Sequence, residues 1–129
     1  MQVLKCSFKL PSNNDFIAKN RGAKGTIIGN NFKRLWQNKI YQLIKTQKLR
    51  RVKSPQWMIW EFHEKTKRRD KDNVFSFAIK VTQDALQQAQ ILPNDNNDWI
   101  VGHTIKFVYD KTDGFVLTMV DYDEEADSD

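Results

Sequence analysis

Alternation of apolar and polar side chains predicts β-strands in this chain. Residues 2–10 read QVLKCSFKL, and the even positions from 4 to 10 are apolar while the odd positions from 5 to 9 are polar. A period of two is typical of a half-buried strand. Three later segments are dense in aromatic and β-branched residues, as strands are: 56–64, 99–109 and 115–122. The last two are separated by DKTDG, which is typical of a hairpin turn.

Apolar residues spaced three and four apart predict two helices. The first begins at Asn30 or Asn31 and runs to about Leu49, and the second covers about 73–90. Residues 11–29 are rich in Pro, Asn and Gly, which predicts a long loop. The order is therefore β-α-β-α-β-β. We expect an α+β fold in which a small mixed sheet of about four strands packs against two main helices.

Length and composition limit the classes of protein to consider. The 129 residues suit a single domain, which we expect to span 1–122, followed by an acidic, disordered tail at 123–129. A single cysteine, Cys6, excludes an intrachain disulfide and a cysteine-based zinc site. No apolar run is long enough for a membrane span, and the N-terminus does not resemble a signal peptide. These features predict a cytoplasmic protein without a membrane partner.

The charge distribution predicts a polyanionic partner. The net charge is +5, but residues 121–129 contain six of the 16 acidic residues, so residues 1–120 carry 21 Lys and Arg against 10 Asp and Glu. Between Phe16 and Trp60 there are 11 basic residues and no acidic one. Solvated surfaces usually mix both signs, so a single-sign stretch of this length favours nucleic acid as the partner.

Two aspartates lie within the basic segment KRRDKDN at 67–73. Asp70 and Asp72 are two residues apart, so in an extended segment both carboxylates point to the same side. Carboxylates form a hard donor set, which suits Mg²⁺, with Mn²⁺ as the alternative. The competing interpretation is that DKDN only caps the second helix. Asp95 follows that helix, whose length of roughly 25 Å separates it from the first pair unless the chain folds back or two subunits share the site.

Three blocks of sequence resemble the RusA family of Holliday-junction resolvases. The first is PSNN at 11–14 followed by NRG at 20–22, and the second is RDKDN at 69–73. The third begins with Lys80 and continues through DAL at 84–86 to ND at 94–95. Together they cover most of the chain. RDxDN followed by DALxxAxIxxND is much more specific than either piece alone.

The resemblance implies a small homodimeric, Mg²⁺-dependent endodeoxyribonuclease. Such an enzyme binds four-way DNA junctions and nicks two opposing strands during recombination and repair. Asp70, Asp72 and Asp95 match the family's metal-binding aspartates, Lys80 matches its catalytic lysine, and Asn73 and Asp84 are supporting candidates. The predicted DNA-binding residues are polar or basic: Asn13, Asn14, Lys19, Asn20, Arg21, Lys24, Lys67, Arg68, Arg69 and Lys71.

The chain departs from the family pattern in the spacing before its lysine. Four extra residues separate Asn73 from Lys80, which is close to one helical turn, so Lys80 keeps the same face but begins ~6 Å further along. We expect its long side chain to lean back toward the start of the helix. Asn94 also stands where the family often has an aspartate. The alternative function is therefore a catalytically weak or inactive DNA-binding module of the same fold.

Overall fold

A computed structural model describes residues 1–19, 21, 25–94 and 98–122 of the chain. These residues form four strands and three helices, in the order β1 (Gln2–Cys6), α1 (Asn13–Lys19), α2 (Gly25–Thr46), β2 (Gln56–Glu64), α3 (Lys71–Gln88), β3 (Ile100–Tyr109) and β4 (Gly114–Asp121). The predicted α+β class is confirmed. The predicted acidic tail at 123–129 lies outside the described residues.

The four strands form one mixed sheet in the order β1-β4-β2-β3. Strand β4 lies antiparallel to both β1 and β2, whereas β2 and β3 are parallel. Parallel neighbours require a crossover connection, and α3 supplies it between β2 and β3. Gly114 begins β4 with a φ of +107°, and a Cβ at this position would collide with the carbonyl oxygen of Cys6.

The helices cover one face of the sheet. Along β2, the even-numbered side chains Met58, Trp60 and Phe62 are buried, while Ile59 on the opposite face is exposed. The buried residues of α3, among them Phe77, join the same core as the buried side chains of β1, β2 and β4. The molecule is thus a two-layer arrangement, helices on one side and an open sheet face on the other.

The predicted loop at 11–29 is wrong in part, because it contains α1 and the start of α2. Local side-chain bonds explain α1. The Asp15 carboxylate accepts from the backbone N–H of Ser12 at 2.8 Å, and the Ser12 hydroxyl accepts from the Asp15 N–H at 3.4 Å. This reciprocal pair is a capping box, and it starts a helix that Phe16 then packs against Phe77 of α3. Helix α2 begins at Gly25, earlier than predicted at Asn30 or Asn31.

Helix α3 connects the two ends of the molecule. It begins directly after the turn at 65–70 and runs for 18 residues, which is about 27 Å. At its far end Gln90 has a φ of +60°, and the N–H groups of Ile91 and Leu92 return to the carbonyl oxygen of Leu86. Because β2 ends where α3 begins, residues 67–73 lie at the C-terminal edge of the parallel pair. No helix among the described residues combines the length and apolar character that crossing a membrane requires.

Candidate nucleic-acid and metal site

Asp70 and Asp72 lie at the first turn of α3 with both side chains exposed. Asp70 is the N-cap residue, with an extended backbone at φ −66° and ψ 132°, and its carbonyl oxygen accepts the N–H of Val74 at 3.1 Å. Its carboxylate makes no capping hydrogen bond. The capping interpretation therefore does not account for the Asp70 side chain. The positive end of the helix dipole favours two anionic groups here.

Arg69, which precedes this pair, is held inside the protein. Its guanidinium donates to both carboxylate oxygens of Glu64, at 2.7 Å and 2.9 Å, and to the carbonyl oxygen of Leu10 at 2.8 Å. The Glu64 side chain is only 8% exposed. A bidentate pair of this kind fixes geometry as well as charge. Arg69 was predicted to contact DNA, but the structure gives its guanidinium a structural partner, and it anchors the turn that carries Asp70.

The other cations of this turn face outward. Lys67, Arg68 and Lys71 are exposed. The Lys67 ammonium lies 5.2 Å from the ring centroid of Tyr109, and the Lys71 ammonium lies 5.6 Å from that of Phe107. These distances suit cation–π contacts, which leave the remaining ammonium hydrogens available. The two carboxylates of this turn therefore have cations as their sequence neighbours, and two of those cations contact aromatic rings of the edge strand β3.

Lys80 lies two turns further along α3, and its ammonium is 3.2 Å from the carboxylate of Asp84. Asp84 follows Lys80 by four residues, so the lysine head points toward the helix C-terminus rather than back toward Asp72. The second oxygen of Asp84 lies 3.0 Å from the ammonium of Lys33 on α2. Asp72 and Lys80 are separated by about 12 Å along the helix axis. The Lys80 side chain is 55% exposed.

The chain before α1 runs along the same side of α3. The carbonyl oxygen of Leu10 accepts a hydrogen bond from Arg69, which lies just before α3. Asn13 lines a small pocket together with Lys80 and Lys33. The first block of the predicted site is thus beside the second and third. Of the other DNA-binding residues predicted in this part of the chain, Asn14, Lys19 and Arg21 are exposed, while Asn20 and Lys24 lie outside the described residues. Asn73 is half-buried in the first turn of α3.

Asp70 and Asp72 are the members of the predicted metal site that the structure describes. Within residues 1–19, 21, 25–94 and 98–122, no three His, Cys, Asp or Glu side chains come close enough to hold an ion. Asp95, the predicted third ligand, lies outside these ranges, and so its place at the site stays a prediction. Asp70 and Asp72 have the oxygen donors that Mg²⁺ prefers, and both are exposed to solvent. The carboxylate oxygens of Asp70 and Asp72, and the exposure of both side chains to solvent, therefore fit a Mg²⁺ ion.

Three residues of this region are absent from the predicted site. Glu64 holds Arg69, Lys33 shares Asp84 with Lys80, and Lys9 lines a groove with Arg68 and Glu64. The alternation of β2 contains a signal for Glu64, because an acid on the buried phase of a strand needs a cationic partner. Lys33 and Lys9 give no comparable signal, since both belong to ordinary polar positions of a helix and a strand end.

His63, near the end of β2, lies between two carboxylates. His63 contacts Glu61 through Nε2 and Asp110 through Nδ1, both at 2.9 Å. Burial alone lowers the pKa of His63, but hydrogen bonds to Glu61 and Asp110 outweigh it and leave that pKa raised. Hydrogen bonds from Thr112 are the main reason why the pKa of Asp110 is lowered to about 2.

Comparison with known proteins adds no family to this description. No family model matches the chain, and no curated protein matches it. The class that fold and site define is a small α+β protein with an exposed carboxylate pair inside a basic surface.

Proposed function

We propose that this protein is a Mg²⁺-dependent endodeoxyribonuclease that binds four-way DNA junctions and resolves them by paired nicks in opposing strands. One observation carries the proposal: Asn13 of the first block lines a pocket with Lys80 of the third, and Leu10, just before the first block, bonds Arg69 of the second. The exposed carboxylates of Asp70 and Asp72 and the ammonium of Lys80 lie on this helix. The resemblance to RusA resolvases supplies the substrate class.

Asp70 and Asp72 hold the divalent ion in this proposal, and Asp95 completes the set. When bound, a Mg²⁺ ion polarises a phosphate oxygen and makes a neighbouring water more acidic. The contribution of Lys80 is to stabilise negative charge that develops on the phosphate. Asp84 is a positioning residue, because it holds the ammonium groups of Lys80 and Lys33. Arg69 has a structural role, because its ion pair with Glu64 fixes the turn that carries Asp70.

The outward cations bind phosphates of the junction. Lys67, Arg68 and Lys71 surround the carboxylate pair, and Asn13 and Asn14 begin α1 nearby. Cations beside the pair offset its repulsion of the DNA backbone. Many such contacts make the affinity strongly dependent on salt.

Paired nicks in opposing strands require two active sites, so the proposed enzyme acts as a homodimer with closed two-fold symmetry. The proposed location is the cytoplasm. The one cysteine of the protein, Cys6, is buried. Burial raises the pKa of the Cys6 thiol to about 11, which suits an unreactive core residue.

The substitution Asp72→Asn tests the nuclease directly. Nicking of a synthetic four-way junction in Mg²⁺ should fall by on the order of 100-fold or more, because a ligand of the ion is lost. Binding of the same junction in EDTA should be kept or strengthened, since one negative charge near the phosphates is gone. The matched control is Asp121→Asn, an exposed carboxylate that lies opposite Gln56 at the start of β2, whereas Asp72 follows the end of that strand. Unchanged nicking by Asp72→Asn would refute the proposed role.

A non-catalytic junction-binding module is the second candidate. The ion pair between Lys80 and Asp84 favours it, because the pair turns the ammonium away from Asp72. Under this alternative, wild-type protein binds junctions in preference to duplexes of equal length and shows no Mg²⁺-dependent nicking. Under the nuclease proposal, Lys80→Gln lowers nicking and leaves junction binding within about threefold, the effect expected for one surface charge.

A further inference from the structure

A second group of cations lies at the end of the molecule remote from Asp70. We call it the distal basic cluster, and its members are Lys45, Lys48, Arg50, Arg51 and Lys53. All of them are exposed, and they follow one another from the last turn of α2 to the residues before β2. The segment 45–53 contains no acidic residue.

The backbone of this cluster is firmly held. The Gln2 side chain makes two hydrogen bonds with the Arg50 backbone. Its amide N–H donates to the Arg50 carbonyl oxygen at 2.7 Å, and its amide oxygen accepts the Arg50 N–H at 2.6 Å. Two residues later, the buried Val52 donates its N–H to Ile91 at 2.9 Å. The cations are therefore presented from a fixed loop, which lowers the entropic cost of binding a ligand.

Two neighbouring grooves share this loop. One is lined by Lys45, Lys48 and Arg51, and the other by Arg50, Arg51 and Lys53. Arg51 belongs to both, so the cations border a continuous surface. Among the described residues that line it, the acid is Asp121, whose carboxylate accepts from Gln56 at 2.7 Å and from Ser54 at 2.9 Å.

Little of the positive charge of the cluster is used to hold the fold: the Lys45 ammonium lies 5.4 Å from the ring centroid of Tyr41, at a cation–π distance. In the described part of the chain none of its members forms an ion pair with a carboxylate. Lys45 lies in the last turn of α2, where a cation complements the helix dipole. That effect fades beyond the last turn, and so it does not explain Arg50, Arg51 or Lys53. Cations crowded together repel one another and favour an anionic ligand.

We propose that the distal basic cluster is a second phosphate-binding surface for the backbone of a DNA duplex. This inference rests on the proposed function, and it adds the path of the DNA across the protein. The two ends of α3 are about 27 Å apart, and the nine residues of β2 span roughly 30 Å. At 3.4 Å for each base pair, a duplex arm that leaves Asp70 reaches the cluster after about eight base pairs.

The solvent-facing side of α2 supports this path. Arg34, Lys39 and Lys45 are exposed on it, and the whole helix contains no acidic residue. Helices α2 and α3 run in the same direction, because Lys33 pairs with Asp84 and Gln37 with Gln88. Cations therefore continue from the middle of the helical layer toward the cluster.

The chemistry of the cluster favours DNA over an anionic membrane. Membrane surfaces are bound by cations together with exposed apolar side chains that enter the lipid. Here the neighbouring apolar residues Ile44, Val52 and Ile91 are buried, with exposed fractions of 2%, 7% and 6%. Met1, which lines one of the two grooves, is 85% exposed. One apolar side chain among five cations is not the apolar face with which a membrane-binding surface enters lipid, so the surface matches a phosphate backbone better.

The test compares two double variants of the full chain in EDTA on a 16-base-pair duplex. Arg51→Gln with Lys53→Gln removes two cluster charges, and Lys5→Gln with Lys106→Gln removes two exposed charges on the open sheet face. We expect the cluster variant to bind on the order of 10-fold more weakly, with a salt slope shallower by about 1.8, because two phosphate contacts are lost. The control should keep the wild-type slope.

Two further measurements make the result decisive. On four-way junctions, the cluster variant should lose affinity with 12-base-pair arms but not with 5-base-pair arms, which end before the cluster. Mg²⁺-dependent nicking by the wild type tests the nuclease separately, so either proposal can fail alone. Equal salt slopes for the cluster variant and the wild type on the duplex would overturn the distal surface. Loss of binding to phosphatidylserine vesicles with an unchanged duplex slope would overturn it as well.

Discussion

The two ends of α3 use basic residues in opposite ways. At the first end, Arg69 is withdrawn into an ion pair with Glu64, and it fixes the turn that exposes Asp70. At the other end, the neutral amide of Gln2 fixes the loop, and every cation of the distal basic cluster stays at the surface. A count of basic residues would treat both ends alike. The difference lies in what holds the backbone, a buried charge or an uncharged amide.

The largest expected effect is on the buried anchor. Glu64→Gln should lower the free energy of unfolding by about 3 kcal/mol, because it leaves the guanidinium of Arg69 without its counter-charge in a mostly buried place. Urea denaturation measures this loss. Asp113→Asn is the matched control, since it breaks only the pair with Lys65, whose side chain is 61% exposed, and should cost less than about 1 kcal/mol. Equal losses for the two variants would contradict a structural role for Arg69.

The amide anchor should matter less. Gln2→Ala removes two hydrogen bonds to the Arg50 backbone at an exposed position, so we expect a loss of about 1 kcal/mol in the same urea experiment. Gln42→Ala, on the exposed side of α2, serves as the control and should change stability by less than about 0.5 kcal/mol. If Gln2→Ala were as costly as Glu64→Gln, the proposed contrast between the anchors would be wrong.

Titration of His63 should add a smaller, pH-dependent contribution. Because Glu61 and Asp110 raise its pKa in the folded protein, protonated His63 stabilises the fold below its unfolded pKa of about 6.5, and this stability is lost as the pH rises through the folded pKa. His63→Gln should therefore flatten the fall in unfolding free energy between pH 6 and pH 8. A slope equal to that of the wild type would refute this contribution.

His103 should give a still smaller effect of the opposite sign. Burial lowers its pKa, and its Nδ1 accepts the indole N–H of Trp60 at 3.0 Å, which requires an unprotonated nitrogen. The stability that neutral His103 contributes is present above an unfolded pKa of about 6.5 and is lost as the pH falls through its folded pKa. His103→Gln should reduce the loss of unfolding free energy between pH 7 and pH 5. An unchanged acid loss in urea titrations would count against it.

Local patterns predicted most of the fold. Strand β2 begins and ends at the predicted residues, Gln56 and Glu64. The predicted helix at 73–90 corresponds to α3. Both follow from the period of apolar side chains, which each segment carries by itself. Helix α1 was missed because Pro and Asn residues suggested a loop, although Ser12 and Asp15 already contained its capping signal.

The sequence by itself determined the order of the four strands and the two long helices, the excess of positive charge and the position of Asp70 and Asp72 directly after β2. Only the tertiary structure decided which charges are used inside the protein. Arg69 meets Leu10 from 59 residues away, Gln2 meets Arg50 from 48, and Lys33 meets Asp84 across two helices. Secondary structure follows from neighbours along the chain, whereas the partner of a charge depends on which distant segments the hydrophobic core brings together.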